Sequence, residues 1–141
     1  MREIETSIRI EAGATRVWQV MTDFERWPEW TESVRRVEAL DATPPNIGSR
    51  FRVEQPKLRP ATWTVTKWEP AQGFTWESQS LGLLLTGVHT IETTGSACTV
   101  RLAVRFSGPL GSIVGAMARK ITEQYVALES AGLKRRSETK S

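Results

Sequence analysis

His89 is the only histidine in the chain, and histidine is the one side chain that ordinarily titrates near neutral pH. The alternation from Gly87 to Glu92 places His89 on the same strand face as Ile91, with Thr90 and Glu92 on the other face. The pattern predicts that the imidazole points inward, as a hydrogen-bonded core residue, a polar anchor for a ligand, or a general acid or base. No Ser, Cys or Asp at a recognisable spacing completes a triad, so His89 is the only catalytic candidate.

Metal and cofactor sites have little support in the sequence. One histidine, one cysteine and no carboxylate cluster in the same strand run argue against a metal site. The segment Gly108-Pro109-Leu110-Gly111 predicts a strand-to-helix hinge, because it lacks the glycine and lysine spacing of a phosphate loop. We therefore expect neither a metal nor a cofactor. Cys98 is the single cysteine, which excludes an intrachain disulfide.

Large, mostly apolar side chains recur on the inward faces of the predicted strands and C-terminal helix. His89 and Tyr125 are the polar members of this set, and few polar groups among many apolar ones are typical of a small-molecule pocket. The same residues would also build a solid core, and the sequence leaves open whether the indoles fill the space or line it. The candidate ligand-binding residues are Trp30, Phe51, Val53, Trp63, Trp76, His89, Ile91, Met117, Ile121 and Tyr125.

Hydrophobic periodicity predicts the elements that position these residues. Alternation over Ile4–Ile10 predicts a strand, and Ala14–Thr22 has helical spacing. From Val34 to Phe106 the period is two, with turns between runs, which predicts an antiparallel meander with one solvated face. The apolar stripe from Leu110 to Leu128 predicts one long helix across the sheet. We expect an α+β domain over residues 1–136, followed by a polar tail over residues 137–141.

Two tryptophans flank a proline in the segment Asp23–Trp30, directly after the first predicted helix. Pro28 disfavours helical geometry at Trp27, so the chain is predicted to turn there. Indole supplies a large and stiff contact surface. We expect Trp27 and Trp30 to gate or wall one end of the cleft, with Trp27 also lying in the core.

Several of these motifs, in this order, resemble the SRPBCC superfamily, which includes START-like lipid carriers, birch-pollen-allergen relatives and polyketide cyclase/dehydrase-like proteins. The resemblance implies the helix-grip architecture, a curved antiparallel sheet of about six to seven strands around a long C-terminal helix, with two short helices after the first strand. It also implies a cavity between sheet and helix. The matching segments are Ile4–Ile10, Ala14–Trp18, Asp23–Trp30, Gly87–Glu92, Phe106–Leu110 and Ala131–Lys134.

Composition excludes several classes of partner. The chain has 141 residues and a formal net charge of +3, with acidic and basic residues interspersed. The basic cluster Lys134-Arg135-Arg136 falls at the end of a predicted helix, where cations suit the helix dipole, so we expect no nucleic-acid partner. No apolar run approaches the ~20 residues of a membrane span, and the charged N-terminus does not resemble a signal peptide. We expect a cytoplasmic protein, with monomer and homodimer left open.

The sequence favours binding of a hydrophobic small molecule, such as a lipid, an isoprenoid or an aromatic polyketide-like compound, between sheet and C-terminal helix. The first alternative is a cyclase or dehydratase in which His89 shuttles protons and Tyr125 orients a carbonyl. The second is a surface interaction module of the coenzyme-Q-binding or toxin-like kind, which an exposed apolar patch near Leu81–Leu85 would favour. The scarcity of ionisable inward residues weighs against catalysis.

Overall fold

A computed structural model describes residues 2–139 as seven strands and four helical segments. The strands are β1 (Arg2–Ile10), β2 (Arg36–Ala39), β3 (Arg50–Glu54), β4 (Ala61–Glu69), β5 (Gly73–Ser80), β6 (Leu83–Thr94) and β7 (Ala97–Ser107). The helices are α1 (Ala14–Met21), a 3₁₀ helix (Phe24–Glu29), α2 (Gly111–Met117) and α3 (Arg119–Glu138).

All seven strands form one antiparallel sheet in the order β1-β7-β6-β5-β4-β3-β2. The first strand therefore pairs with the last, and the remaining strands follow as a meander. The register places His89 opposite Phe74 on β5 and Leu102 on β7. The α+β helix-grip prediction is confirmed, including the two short helical segments after β1.

The C-terminal helical region differs from the single helix predicted over Leu110–Leu128, because it is divided at Ala118. Gly111 and Gly115 are the buried positions of α2, and both press against β7 at Phe106. Ile113 and Met117 are each offset by two residues from these glycines, about 200° around the helix, so both point to solvent. The apolar stripe of the sequence thus splits into a cavity-facing part and an exposed part.

The last turn of α3 extends into the segment predicted as a polar tail. The helix ends at Glu138, and Ser137 is buried, so the tail begins later than residue 137; residues 140 and 141 lie outside the described part. The Arg16 guanidinium donates to the carbonyls of Arg136 and Thr139, which supplies partners for groups that a helix end leaves unpaired. Lys134 and Glu138 also contact the β1 end through the Arg9 carbonyl and the Glu11 amide.

A cluster of aromatic rings fills one half of the space between sheet and helices. Phe24 is at its centre, with ring centroids 4.2 Å from Phe51, 5.2 Å from Phe74 and 5.6 Å from Trp27. Trp27 donates from its indole nitrogen to the Met21 carbonyl at 3.0 Å, which satisfies its buried N–H. As predicted, Trp27 lies in the core.

Gly132 brings α3 against the backbone that follows the 3₁₀ helix. A Cβ at this position would lie 1.8 Å from the carbonyl oxygen of Trp30, closer than any atom pair tolerates. The same carbonyl accepts a hydrogen bond from Arg135 at 3.1 Å. The absence of a side chain at residue 132 therefore sets how closely α3 approaches this end of the core.

We predict that Gly132→Ala lowers the free energy of unfolding by about 2 kcal/mol or more, because the added methyl must displace backbone. Gly13→Ala is the matched control, since a Cβ there meets no atom within 4 Å, and its effect should stay within about 0.5 kcal/mol. Urea denaturation followed by circular dichroism measures both. If both variants lowered the free energy of unfolding by equally small amounts, α3 would not depend on this contact.

Two exposed ion pairs hold the end of α3 and respond to acid. Hydrogen bonds from Lys134 and from the Glu11 amide lower the pKa of Glu138, and a hydrogen bond from Arg136 lowers the pKa of Glu29. A carboxylate whose pKa is depressed by folding stabilises the native state above its unfolded pKa, and that contribution disappears as the pH falls through the folded pKa.

We predict that the double variant Glu29→Gln/Glu138→Gln melts at a lower temperature than the parent chain at pH 7. The difference should shrink as the pH falls through the depressed pKa of these carboxylates, below the ordinary range of glutamate, where the parent side chains become protonated. Thermal melts across this pH range measure it. Glu32→Gln, which removes an exposed carboxylate without an ion pair among residues 2–139, is the control. A difference in melting temperature that persists at low pH would contradict a stabilising role for these two carboxylates.

Candidate functional site

A cavity of about 320 Å³ lies between the sheet and the pair α2–α3. Strands β3 to β7 provide its floor and walls, and residues of α2 and α3 cover it. Its size is at the lower end of the range found for small-molecule pockets. The aromatic cluster occupies the other half of the same space, so the core is solid at one end and open at the other.

Six of the ten candidate ligand-binding residues line this cavity. Their side chains come from both layers of the fold, with four on the sheet and two on α3. They are Val53, Trp63, Trp76, His89, Ile121 and Tyr125. The structure therefore brings together residues that are up to 72 positions apart in the chain (Val53 to Tyr125, 125 − 53).

Four candidates lie elsewhere, and the position along each strand or helix explains why. Phe51 and Ile91 belong to the filled aromatic half of the core, one alternation beyond the cavity-lining Val53 and His89. Met117 is 82% exposed because it lies on the solvent side of α2. Trp30 is buried against α3 and does not reach the cavity, so the expectation that it walls one end of the cleft is wrong.

Sequence reasoning missed several lining residues that the same periodicities could have identified. Leu83 and Leu85 extend the alternation of Gly87 and His89 toward the start of β6. Glu129 follows Tyr125 by one helical turn. The others of note are Phe106 and Val114. Trp27, which was expected to wall the cleft as well as to lie in the core, also lines the cavity.

Gly87 lets an indole lie flat on the sheet at the boundary between core and cavity. It pairs with Trp76 across β5 and β6, and a Cβ on Gly87 would stand 2.7 Å from the Trp76 indole nitrogen. Trp63 packs beside Trp76, with ring centroids 5.4 Å apart. These two indoles form a stiff apolar wall, so at this boundary the tryptophans line the space.

His89 and Glu129 form the polar end of the cavity. The Nε2 atom of His89 lies 3.4 Å from the Oε1 atom of Glu129, and the two side chains are 7% and 15% exposed. The imidazole stacks on Phe74 with centroids 4.1 Å apart and an angle of 10° between the planes. Its Nδ1 is buried and has no hydrogen-bond partner among residues 2–139, so Nε2 carries the polar interactions of the ring.

Of the other polar residues that line the cavity, Gln55, Arg59, Thr122 and Tyr125, two donate to backbone carbonyls. The Tyr125 hydroxyl donates to the carbonyl of Pro56. The Gln55 amide donates to the carbonyl of Ser33 at 3.2 Å. Both bonds tie the segment after β3 to its surroundings, where it forms part of the cavity wall.

A second depression, of about 410 Å³, is larger but differs in chemistry. It lies between the 3₁₀ helix and the β2–β3 connection, and its lining includes Asp23, Glu25, Asp41 and Arg50. Arg50 donates to Asp41 from its side chain and its backbone, which lowers the pKa of Asp41. Its lining mixes these charged groups with apolar residues such as Phe24 and Pro44, so we regard it as a surface groove that suits an apolar molecule less well than the cavity does.

Exposed apolar side chains occur on α2 and on the turn before β6. Leu81 is 98% exposed and Ile113 is 60% exposed, whereas Leu83 and Leu85 of the predicted patch line the cavity. Leu110 packs near Gly82 and so connects the turn with the start of α2.

Within residues 2–139, no group of three or more His, Cys, Asp or Glu side chains is arranged to hold a metal ion. No helix in this part of the chain is both long and apolar enough to cross a membrane. Burial raises the pKa of the Cys98 thiol, whose sulfur donates to the Ala12 carbonyl at 3.5 Å. The basic cluster at the end of α3 is occupied by intramolecular bonds from Lys134, Arg135 and Arg136.

Comparison of the sequence with known families gives one match, over residues 1–138, to the family described as polyketide cyclase / dehydrase and lipid transport. The chain belongs to this family. The resemblance to the SRPBCC superfamily is thereby confirmed. No curated protein sequence is significantly similar to the chain.

Solved structures of this fold family superpose well at low sequence identity. A protein from Thermus thermophilus has a TM-score of 0.76 at 17% identity, covering 96% of this chain and 97% of its own. The di-domain ARO/CYC StfQ of the steffimycin biosynthetic pathway has a TM-score of 0.78 at 13% identity, covering 96% of this chain and 50% of its own. This family member thus spans half of StfQ.

Norcoclaurine synthase from Thalictrum flavum, solved with dopamine and hydroxybenzaldehyde, has a TM-score of 0.77 at 13% identity. The match covers 99% of this chain and 88% of the synthase. At such identities these likenesses establish the fold. Function has to be argued from the site of the chain itself.

We predict that Tyr125→Phe leaves the fold intact but increases amide hydrogen exchange over residues 55–60, because it removes the bond to the Pro56 carbonyl. The free energy of unfolding should fall by about 1 kcal/mol, as for one lost hydrogen bond. Exchange read by mass spectrometry measures the change. Unaltered exchange in this segment would show that the hydroxyl does not hold it.

Proposed function

We propose that this chain binds a hydrophobic small molecule in the cavity between the sheet and α2–α3. The compound classes that suit the lining are a lipid, an isoprenoid or an aromatic polyketide-like molecule. The observation that carries the proposal is the open half of the core, which is walled by Trp63 and Trp76 and covered by Val114 and Ile121. The family description, which includes lipid transport, supports the same proposal.

The energetic argument rests on the contrast between the two halves of the core. Protein interiors are close-packed, and an apolar space of this size forfeits the dispersion contacts that a filled core would have. An apolar ligand would restore those contacts and would remove its own surface from water, at roughly 25 cal/mol per Å². The polar end at His89 and Glu129 would orient a ligand that carries oxygen.

A cyclase or dehydratase is the second candidate, and the pair His89–Glu129 is the observation that favours it. Two ionisable side chains face each other inside an apolar cavity, which is the setting in which acid–base catalysis is usual. The predicted role of Tyr125 in orienting a carbonyl has less support, since its hydroxyl is bound to Pro56.

The alternative of a surface interaction module is supported by three exposed apolar residues. They are Leu81, on the turn before β6, and Ile113 and Met117, on α2. Scattered exposed apolar residues are common on globular proteins, so this support is weaker than that for the cavity. If the variant Leu81→Ser no longer bound a partner protein but still bound the ligand, this alternative would be favoured.

We predict that N-phenyl-1-naphthylamine, a neutral apolar probe, becomes fluorescent on binding and quenches the protein's tryptophan emission. Ile121→Trp should weaken its affinity by about tenfold or more, because the larger side chain occupies the cavity; about 1.4 kcal/mol corresponds to each tenfold change. Trp63→Ala should reduce the tryptophan response. Fluorescence titration measures both.

Ile113→Trp is the matched control, since Ile113 is exposed on α2 and the variant adds the same side chain outside the cavity. Its affinity for the probe should equal that of the parent chain. If both variants bind alike, or if the parent chain does not bind the probe, the cavity is not the binding site.

A further inference from the structure

Glu129 places a carboxylate on the wall of the apolar cavity with no lysine or arginine beside it. Its side chain is 15% exposed, and the Nε2 atom of His89 lies 3.4 Å from its Oε1 atom. Within residues 2–139, no other basic side chain comes within 4.0 Å of this carboxylate. A carboxylate that is largely removed from water is costly unless a cation compensates its charge. Glu129 is therefore the lining group that most requires a partner.

The imidazole of His89 does not supply the missing positive charge. An imidazolium ion carries two N–H donors, whereas Nδ1 of His89 is buried and has no acceptor among the described residues. The neutral ring, with its proton on Nε2 toward Glu129, leaves no buried N–H group without an acceptor. Stacking on Phe74, with centroids 4.1 Å apart, holds the ring in this orientation. The negative charge of Glu129 therefore remains available to a ligand.

Arg59 is the other lining residue with a permanent charge, and it lies beyond ion-pair distance of Glu129. It belongs to the connection between β3 and β4, where residues 57–60 are exposed and mark the mouth of the cavity. Because water solvates the guanidinium there, its charge needs no partner from a ligand. The charge that a ligand meets inside the cavity is consequently that of Glu129.

Aromatic rings adjoin this carboxylate and His89. The ring centroids of Trp27 and Trp76 lie 6.0 Å and 5.8 Å from that of His89, and both indoles line the cavity. The faces of indole rings attract cations, including organic ammonium ions. A metal ion would need more oxygen ligands than this single carboxylate offers. The combination of one carboxylate with indoles in an apolar space suits an organic cation.

We propose that the cavity takes a ring-sized apolar amine, bound as its ammonium ion, with the charge at Glu129 and the hydrocarbon body against Trp63 and Trp76. The proposal rests on the proposed function, because an apolar body must first fill the cavity, and it adds the identity of the head group. A hydroxyl group can also donate to a carboxylate, but only a cation brings the opposite charge. The N–H donors of an ammonium ion match a carboxylate, which only accepts.

The test compares 1-naphthylmethylamine with 1-naphthylmethanol, which share the naphthalene body and differ in an ammonium or a hydroxyl group at neutral pH. Displacement of N-phenyl-1-naphthylamine measures the affinity of each compound. We expect the parent chain to bind the amine about tenfold or more tightly than the alcohol, because the charge pair forms away from water.

Glu129→Gln keeps the size of the side chain and removes its charge. It should weaken the amine by about tenfold or more, and it should leave the alcohol and the probe within about twofold of the parent chain. Glu123→Gln is the matched control, since Glu123 lies on the same helix, exposed and paired with Arg119. This variant should keep the preference of the parent chain. Arg59→Gln should not weaken binding of the amine.

The outcomes separate this proposal from the proposed function. If the parent chain binds the probe but binds the alcohol as tightly as the amine, the ammonium assignment is wrong and the binding cavity remains. Retention of the preference in Glu129→Gln would also overturn the assignment, and so would loss of the probe from this variant, since the carboxylate would then serve the fold. Weaker amine binding by Arg59→Gln would move the head group to the mouth and overturn it too. If the parent chain does not bind the probe, the proposed function itself fails.

Discussion

The structure depends on the close backbone contact that one end of α3 makes with the segment after the 3₁₀ helix, while the other end of α3 covers a cavity. Gly132 lies against the Trp30 carbonyl, so the C-terminal half of α3 is held in direct backbone contact. Arg16, Lys134 and Arg136 reinforce that end with bonds to carbonyls and carboxylates. Toward its N-terminal end the helix covers the cavity, and α2 continues the cover after a break at Ala118. The open space is a consequence of this asymmetry.

The aromatic residues form two groups, one that fills the core and one that lines the cavity. Phe51 and Phe74 both pack on Phe24 and help to fill one part of the core. Trp63 and Trp76 lie at the edge of that cluster, with their rings toward the cavity. Stiff indoles have few torsions and do not readily collapse into a void. The same residue class therefore builds a solid core and keeps an adjacent cavity open.

The fold was largely predictable from the sequence, because alternation and helical spacing record which face of each element is buried. His89, Trp63 and Trp76 were likewise identified as inward residues. The division between core and cavity was not predictable, since Phe51 and Val53 lie on the same strand face and differ only in position along β3. Met117 was misplaced because a helical stripe does not reveal that two glycines bury the opposite side of α2. Glu129 was missed because a charged residue on a helix ordinarily indicates solvent.

The central claim is that the space between Trp63, Trp76 and Val114 takes an apolar molecule. A crystal structure of the protein with 2-iodonaphthalene, read through the anomalous signal of iodine, tests it most directly. The account predicts one dominant iodine peak inside this cavity, with the ring against the two indoles. A peak only in the groove beside Asp41, only on the exposed surface near Leu81, or no ordered iodine at all would contradict it.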